Sequence, residues 1–306
     1  MKRLIELTPH LVFVAASLTL LAGSVTFLRG TFPQAASGRV ASDSARATGV
    51  GGDGAEPTQP YDTQGEAQHL PPKASLITDF EGHVLSSSNP NRVWPLASLT
   101  KLMTAVIALE EIPAESIVAF SKETIEANAQ NGSNGAFAAG ESVSLEDAVN
   151  AMLVASSNAA ARGVAGLMSP TVFVERMNEK AKILGLSQTR FEDPVGLSPN
   201  NVSTVQDVAK LVRYIWNAHR ERFEVTARPS VVIRELTTGE SRTMRTTIVF
   251  AGQKDFLGGK TGFTAAAREN LVSVFARGGA AVIVVVLGAE DRFAETRILL
   301  RDIYGT

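Results

Sequence analysis

The 306-residue sequence has no cysteine, and that absence excludes disulfide frameworks, thiolate metal sites and a cysteine nucleophile together. It leaves the compartment open, because a cysteine-free chain is compatible with either redox side. Histidine is nearly as scarce: His10, His69, His83 and His219 are the only four. None neighbours a serine motif and no G-x-S-x-G occurs, so a Ser-His-Asp triad is not expected. Nor do they cluster as zinc ligands would, and all four read as surface residues. An excess of charge is missing too. Lys and Arg number 29 against 31 Asp and Glu, for a net charge of -2. Such a chain has no basic footprint, and nucleic acid is not an expected partner. Aromatic residues make up only 6%, but 44% hydrophobic and 20% charged residues are an ordinary globular composition. The length suits one large domain or two small ones.

One long uncharged run is present, residues 11–28 (LVFVAASLTLLAGSVTFL). As a helix it would reach about 27 Å, close to the roughly 30 Å of a hydrocarbon core. Lys2 and Arg3 precede it and few basic residues follow before Arg39, which directs the rest of the chain out of the cytoplasm. A cleaved signal peptide would do the same. The length of the run, and a following Ala35-Ala36-Ser37 that only imitates an Ala-x-Ala site, favour an uncleaved anchor over residues 1–29. Residues 30–73 are rich in Gly, Ala, Ser, Thr, Pro and Gln and cannot bury enough apolar surface to offset their ordering entropy. They read as a disordered tether, holding a domain on the order of 35–40 Å from the bilayer.

The folded part is expected over residues 74–306. Strands at 74–79 and 84–86 bracket a hairpin turn at Phe80-Glu81-Gly82-His83. Residues 98–111 are apolar nearly all round at helical length, which predicts a buried central helix. Ser144 resembles an N-cap opening a helix to about residue 153. Residues 172–184 form an amphipathic helix closed by Gly185, and 205–217 another. Strands follow at 230–235 and 241–250. The clearest pair is 269–276 and 280–287 about a Gly278-Gly279 turn, before a terminal helix at 291–303. Strands at both ends and helices between them predict an α+β fold, an antiparallel sheet carrying helices.

A lysine base is a different way to activate a serine. Ser98-Leu99-Thr100-Lys101 puts a hydroxyl and an amine one helical turn apart on one face. A helix start adds free N–H groups and a positive dipole end for a developing oxyanion. A buried amine near a second cation gives up its proton readily. S-x-x-K alone arises by chance about once in a chain of this length. Lys260-Thr261-Gly262 occurs once, before the last strand pair. A cation and a hydroxyl on an edge strand, then Gly for close backbone approach, would receive a substrate carboxylate. Ser-x-Asn occurs at Ser87/Asn89, Ser156/Asn158 and Ser198/Asn200. Only Ser156-Ser157-Asn158 lies in the helical block between the other two motifs. The three in order form a set known from penicillin-binding proteins and class A β-lactamases. Gly259-Lys260-Thr261 also resembles a P-loop tail, but Lys254 stands where its first glycine belongs.

With these motifs the chain resembles the serine-type D-alanyl-D-alanine carboxypeptidases, the low-molecular-mass penicillin-binding proteins. Residues 97–105 (ASLTKLMTA) are similar to the family's nucleophile segment. Phe173-Val174, Met177-Asn178, Ala181 and Leu184-Gly185-Leu186 are similar to its middle helix. Thr189, Phe191, Pro194, Gly196-Leu197, Ser203-Thr204 and Asp207 resemble the segment after it, and Lys260-Thr261-Gly262-Phe263-Thr264 completes the set. The resemblance implies the penicillin-binding-protein/β-lactamase-like transpeptidase fold, with an all-helical subdomain beside the sheet. It implies Ser98 as nucleophile, Lys101 as its base and Ser156 as proton relay to the leaving D-alanine. Asn158 would hold the substrate amide, Lys260 and Thr261 the terminal carboxylate, and the backbone N–H groups of Ser98 and Phe263 the oxyanion. The implied partners are peptidoglycan stem peptides as substrate, β-lactams as covalent inhibitors and the membrane through the N-terminal segment, with no metal or cofactor. Action is expected on the extracytoplasmic face of the bacterial membrane.

Three departures stand out. Ala159 follows Ser-Ser-Asn where the family commonly has Asp, with local packing rather than chemistry at stake. Arg245-Thr246-Thr247 replaces a common Asn-Thr-Asn and puts the shape of the cleft wall in question. The sequence ends soon after the catalytic domain, and an N-terminal anchor would stand in for the C-terminal one of some members. Endopeptidase action on crosslinks needs the same residues and a wider cleft. A β-lactamase would need a deacylating base, for which Glu192 is the candidate, but its Phe191-Glu192-Asp193-Pro194 context reads as a loop carboxylate. A penicillin sensor that acylates without turnover is the non-enzymatic alternative.

Overall fold

The computed structural model describes residues 70–129 and 137–305. The anchor and tether expected over residues 1–29 and 30–73 therefore lie outside the described residues, except for the last few before Ala74. His10 and His69 lie outside them too.

β1 (Ala74–Asp79) and β2 (Val84–Ser88) form the expected hairpin. After the short β3 (Trp94–Pro95) a 3-10 turn over Ala97–Thr100 leads into α1 (Lys101–Glu111). Next come β4 (Ile117–Ala119), α2 (Lys122–Ala129), β5 (Ser142–Ser144), α3 (Leu145–Val154), α4 (Asn158–Ala165) and α5 (Pro170–Ile183). The middle of the chain closes with β6 (Val202–Ser203), α6 (Val205–Ala218) and α7 (Arg220–Glu224). The last part is β7 (Ser230–Arg234), β8 (Ser241–Arg245), β9 (Phe256–Thr264), β10 (Arg268–Arg277), β11 (Ala280–Ala289) and α8 (Arg292–Tyr304).

The main sheet is five-stranded and antiparallel, in the order β2-β1-β11-β10-β9. First and last strands of the domain pair at its centre. β11 shows why both faces must be covered: Ile283, Val285 and Leu287 join the core shared with the helical block, and Val282, Val284 and Val286 join Leu300 of α8 on the other face. Period-two alternation with apolar residues at every step requires a sheet packed on both sides. This is the α+β fold expected from the sequence.

Local chemistry sets several element ends. Ser144 caps α3 by accepting from the Asp147 N–H at 3.0 Å, as its position predicts. Thr204 caps α6 through the Asp207 N–H at 3.2 Å. Gly185 closes α5 in the left-handed region at φ +66°, where the Leu186 N–H reaches back to the Ala181 carbonyl at 2.9 Å. The strand expected at 241–250 stops at Arg245, because residues 246–250 turn to carry Ile248 and Phe250 into the core behind the sheet. α2 and α4 were not expected. α2 has a weak apolar pattern, and α4 is too short and alanine-rich to show a period.

Candidate active site

The Ser98 segment is a tight turn before it is a helix. α1 begins at Lys101, three residues later than the periodicity predicts, and Ser98 lies in the preceding 3-10 turn. A 3-10 turn has three residues per turn, so i and i+3 side chains eclipse. Ser98 Oγ and Lys101 Nζ consequently stand 2.8 Å apart. The turn is forced from both ends. Ala97 holds φ +49°, a strained value for a residue with a Cβ. Gly196 packs directly on it: a Cβ at Gly196, which has φ +94°, would come within 1.9 Å of the Ala97 carbonyl oxygen. The amide of Asn270, buried in β10, donates to the Pro95 and Leu96 carbonyls at 2.8 and 3.1 Å and accepts from the Gly288 N–H at 2.8 Å. Buried Asn201 donates to Thr100 Oγ1 at 3.1 Å from the other side.

Lys101 is fully buried and has three partners: Ser98 Oγ, Asn158 Oδ1 at 2.7 Å and the Val195 carbonyl at 2.8 Å. Two of the three can only accept. A neutral amine has two N–H bonds for them and one lone pair left, which faces the Ser98 hydroxyl. Burial pushes the amine from 10.5 down to about 7, opposed by the charge of Asp193 and helped by that of Arg162. The Val195 carbonyl is aimed by its own loop. The Asp193 carboxylate gathers the N–H groups of Val195, Gly196 and Ser198 at 2.6 Å each, curling the chain over Lys101.

Within Ser156-Ser157-Asn158 the middle residue is the helix cap, accepting from the Ala160 N–H at 3.2 Å. Asn158 thereby starts α4 facing Lys101. Ser156 precedes the cap at φ +57°, and Lys260 Nζ donates to its Oγ at 2.8 Å. Lys260 is fully buried on β9, the edge strand of the main sheet, as the sequence suggested. Burial, and then the charges of Lys101 and Arg292, hold its amine well below the ordinary lysine range. Thr261 Oγ1 lies 2.6 Å from Thr247 Oγ1, so the departing Arg245-Thr246-Thr247 segment supplies the neighbouring wall. Gly262 passes so near the nucleophile turn that a Cβ would sit 2.7 Å from the Leu96 carbonyl and 3.2 Å from the Ser98 nitrogen. Phe263 is 63% exposed at the sheet edge. Arg292, at the start of α8, donates to the Gly262 carbonyl at 2.8 Å and braces this strand.

Ser98, Lys101 and Asn158 thus form one hydrogen-bonded group and Ser156 with Lys260 a second, close enough for the charge of Lys101 to act on Lys260, with Thr261, Gly262 and Phe263 continuing along the same edge. The other two Ser-x-Asn patterns do not join it. Ser198 and Asn200 instead bind the Glu192 carboxylate at 2.8 and 3.0 Å. With Arg190 as its third partner, Glu192 is tied within its own loop and held below the usual carboxylate range, the Asn200 hydrogen bond being the largest cause. Lys260 and Thr261 sit in a strand, where a P-loop would have a turn before a helix. Ala159 is fully buried in the helical core. His83 is exposed, as expected. His219 is not the simple surface residue expected: its ring is half-buried against Glu110 at 2.9 Å, in a cluster with Lys180 and Tyr214 that ties α1, α5 and α6. Among the described residues no His, Asp and Glu group could hold a metal ion. Sequence reasoning missed Asp193, Asn201, Asn270 and Arg292. For Asn270 a signal existed: an amide inside an otherwise apolar strand requires a buried partner.

A profile of the D-alanyl-D-alanine carboxypeptidase family matches residues 62–291. The chain belongs to this family. It is 30% identical over 250 residues to the D-alanyl-D-alanine carboxypeptidase DacC of Escherichia coli, covering 77% of this chain and 62% of that one. It is 37% identical over 150 residues to a D-alanyl-D-alanine endopeptidase of Pseudomonas aeruginosa, covering 47% of each. The alignments thus span about half to three-fifths of the length of these relatives. Among solved structures, the D-alanyl-D-alanine carboxypeptidase of Mycobacterium tuberculosis superposes with a TM-score of 0.68 at 25% identity, over 78% of this chain and 94% of that one. A Streptomyces DD-transpeptidase gives 0.71 at 23% identity, over 77% and 97%, and shares the fold. The family fold is therefore the one expected: an antiparallel sheet beside a helical block.

Proposed function

We propose that the protein is a serine-type D-Ala-D-Ala carboxypeptidase that removes the terminal D-alanine from peptidoglycan stem peptides. The observation that carries this reading is the arrangement around Lys101, whose lone pair faces the Ser98 hydroxyl once Asn158 and the Val195 carbonyl take its two N–H bonds. In this reading Lys101 takes the Ser98 proton as Oγ attacks the carbonyl of the terminal peptide bond. The N–H groups of Ser98 and Phe263 stabilise the oxyanion. Lys260 and Thr261 grip the terminal carboxylate, Gly262 leaves room for that edge to approach, and Asn158 holds the substrate amide. Ser156, backed by Lys260, passes a proton to the departing amine, and water then hydrolyses the ester at Ser98. β-Lactams acylate the same oxygen.

The test follows free D-alanine released by the full-length chain from a peptide ending in D-Ala-D-Ala. Release by the wild type and none by Ser98→Ala is the expected result; equal release from both would sink the assignment. A second reading, D,D-endopeptidase action on crosslinks, is favoured by the 37% identity to the Pseudomonas aeruginosa relative of that name. A crosslinked stem-peptide dimer offered beside the linear peptide separates the two. Both readings require action outside the cytoplasm. The uncharged run at residues 11–28 would anchor the chain there, with residues 30–73 as its tether and 74–306 as the catalytic domain. Among the described residues no helix is long and apolar enough to cross a membrane.

A further inference from the structure

Three arginines converge on a second cavity, of about 310 Å³, on the α8 face of the main sheet. Arg277, Arg297, Arg301, Gln253, Phe250 and Phe275 line it, and none of its lining side chains is acidic. It is a different place from the candidate active site. Arg277 ends β10 and lies about 17 Å along the strand from Val272, the residue opposite Lys260. Phe250 and Phe275 meet edge to face with ring centres 5.3 Å apart, as part of the core behind the sheet. Each ring carries a guanidinium: Arg277 lies 5.4 Å from the Phe275 centre and Arg297 5.1 Å from that of Phe250. A cation–π contact satisfies no N–H, so the in-plane donors remain for a ligand. Arg301 stands one turn after Arg297 on α8, about 6 Å further along the axis.

The charge here is only partly balanced. Arg277 Nη1 donates to the Asp255 carboxylate and to the Ala276 carbonyl, while its Nε is buried with no hydrogen bond. Arg301 has only Asp302, at 3.9 Å with both side chains exposed to solvent. Arg297 has no ion pair among the described residues. Like charges one helical turn apart are destabilising, and so is a buried N–H without an acceptor. An anion in the cavity relieves both.

We propose that this cavity binds the phosphoryl group of a phosphate ester with a small polar substituent such as glycerol. Three guanidiniums against one engaged and one solvated carboxylate leave a surplus of positive charge. A tetrahedral phosphoryl group turns oxygens toward several forks at once, whereas one arginine satisfies both oxygens of a planar carboxylate. The volume admits the ester group as well, and the Gln253 amide can pair with its hydroxyls. The site is independent of the peptide-hydrolase reading.

Isothermal titration of sn-glycerol 3-phosphate into the full-length chain, held in phosphatidylcholine nanodiscs, tests it. Saturable binding with a Kd below about 1 mM is expected. The double variant Arg297→Gln/Arg301→Gln, changed only at exposed positions, should bind at least about tenfold more weakly, and Arg277→Gln likewise. A cooperative thermal transition shows that each variant is folded. Absence of binding by the wild type, or equally tight binding of acetate, overturns the phosphoryl site. So does unchanged affinity in the double variant, the result expected if Lys101 and Lys260 held the phosphate instead. Replacing part of the phosphatidylcholine by phosphatidylglycerol identifies the source. Weaker apparent affinity for glycerol phosphate assigns a lipid headgroup to the cavity, and unchanged affinity assigns a soluble ester.

Discussion

Lys101 concentrates the chemistry in one ionisable group, and its protonation sets a pH dependence whose sign can be worked out. Burial lowers the amine from 10.5 to about 7, so below that pH it is a cation with no lone pair for the Ser98 proton. The second-order rate of penicillin acylation at Ser98 should therefore rise with pH through about 7 and level off above it. A flat profile across neutrality would remove Lys101 from the role of base. Arg in its place cannot shed a proton, and Lys101→Arg should slow acylation by about 10²–10⁴-fold. Gly196 is a residue of another kind, needed for space. At φ +94° and 1.9 Å from the Ala97 carbonyl oxygen, an added Cβ must displace the nucleophile turn. Gly196→Ala should cost about 3–5 kcal/mol, seen as a lowered thermal midpoint. A midpoint equal to the wild type would mean that the turn can move aside.

Among the elements, the junction between the sheet and the 3-10 turn decides where Ser98 points. Asn270 of β10 is its clamp, with its amide nitrogen on the Pro95 and Leu96 carbonyls just before the turn and its oxygen on the Gly288 N–H. Asn270→Ala would strand two carbonyls and one N–H in the interior, at about 2–4 kcal/mol in total. Urea unfolding should show that loss, and penicillin acylation should slow with it. Unchanged acylation in a destabilised variant would show that the turn keeps its shape without the clamp. The β7–β8 hairpin is fastened in a comparable way. The Glu235 carboxylate accepts from the N–H groups of Ser142, Thr237 and Thr238, and those backbone donors hold it far below the usual carboxylate range. That contribution is present above the ordinary glutamate pKa and is lost only as pH falls toward the lowered one.

For the whole molecule, a net charge of -2 does not show that basic side chains gather at the candidate site. Lys101 and Lys260 are fully buried, with Arg162 and Arg292 acting on one or other of them. An anion entering beside these amines favours their charged forms, which suits the carboxylates of D-Ala-D-Ala and of β-lactams. The proposed anchor belongs to this scale. The full chain should sediment with membranes, and a chain lacking residues 1–29 should stay in the supernatant. Recovery of a chain shortened at its N-terminus in the supernatant would favour the cleaved-signal alternative, and an intact chain there would overturn the anchor.

Much of this was legible in linear order. The run from Ala280 to Leu287, β-branched from Val282 to Val286, read as a strand, and Ser144 and Gly185 marked helix ends by their own hydrogen-bonding and φ preferences. The residue types in S-x-x-K, S-S-N and K-T-G, and the resemblance they carry, were visible without coordinates. Such signals are local, because periodicity, capping and motif spacing are properties of neighbours along the chain. What only the tertiary structure decided is what depends on distant segments. Asn158 reaches Lys101 across 57 residues, Val195 across 94, and Lys260 reaches Ser156 across 104. The lowered pKa of Lys101 has the same origin, since desolvation is imposed by segments that meet only on folding. The close approach of Gly196 to Ala97 has that origin too, and no spacing in the sequence announces it.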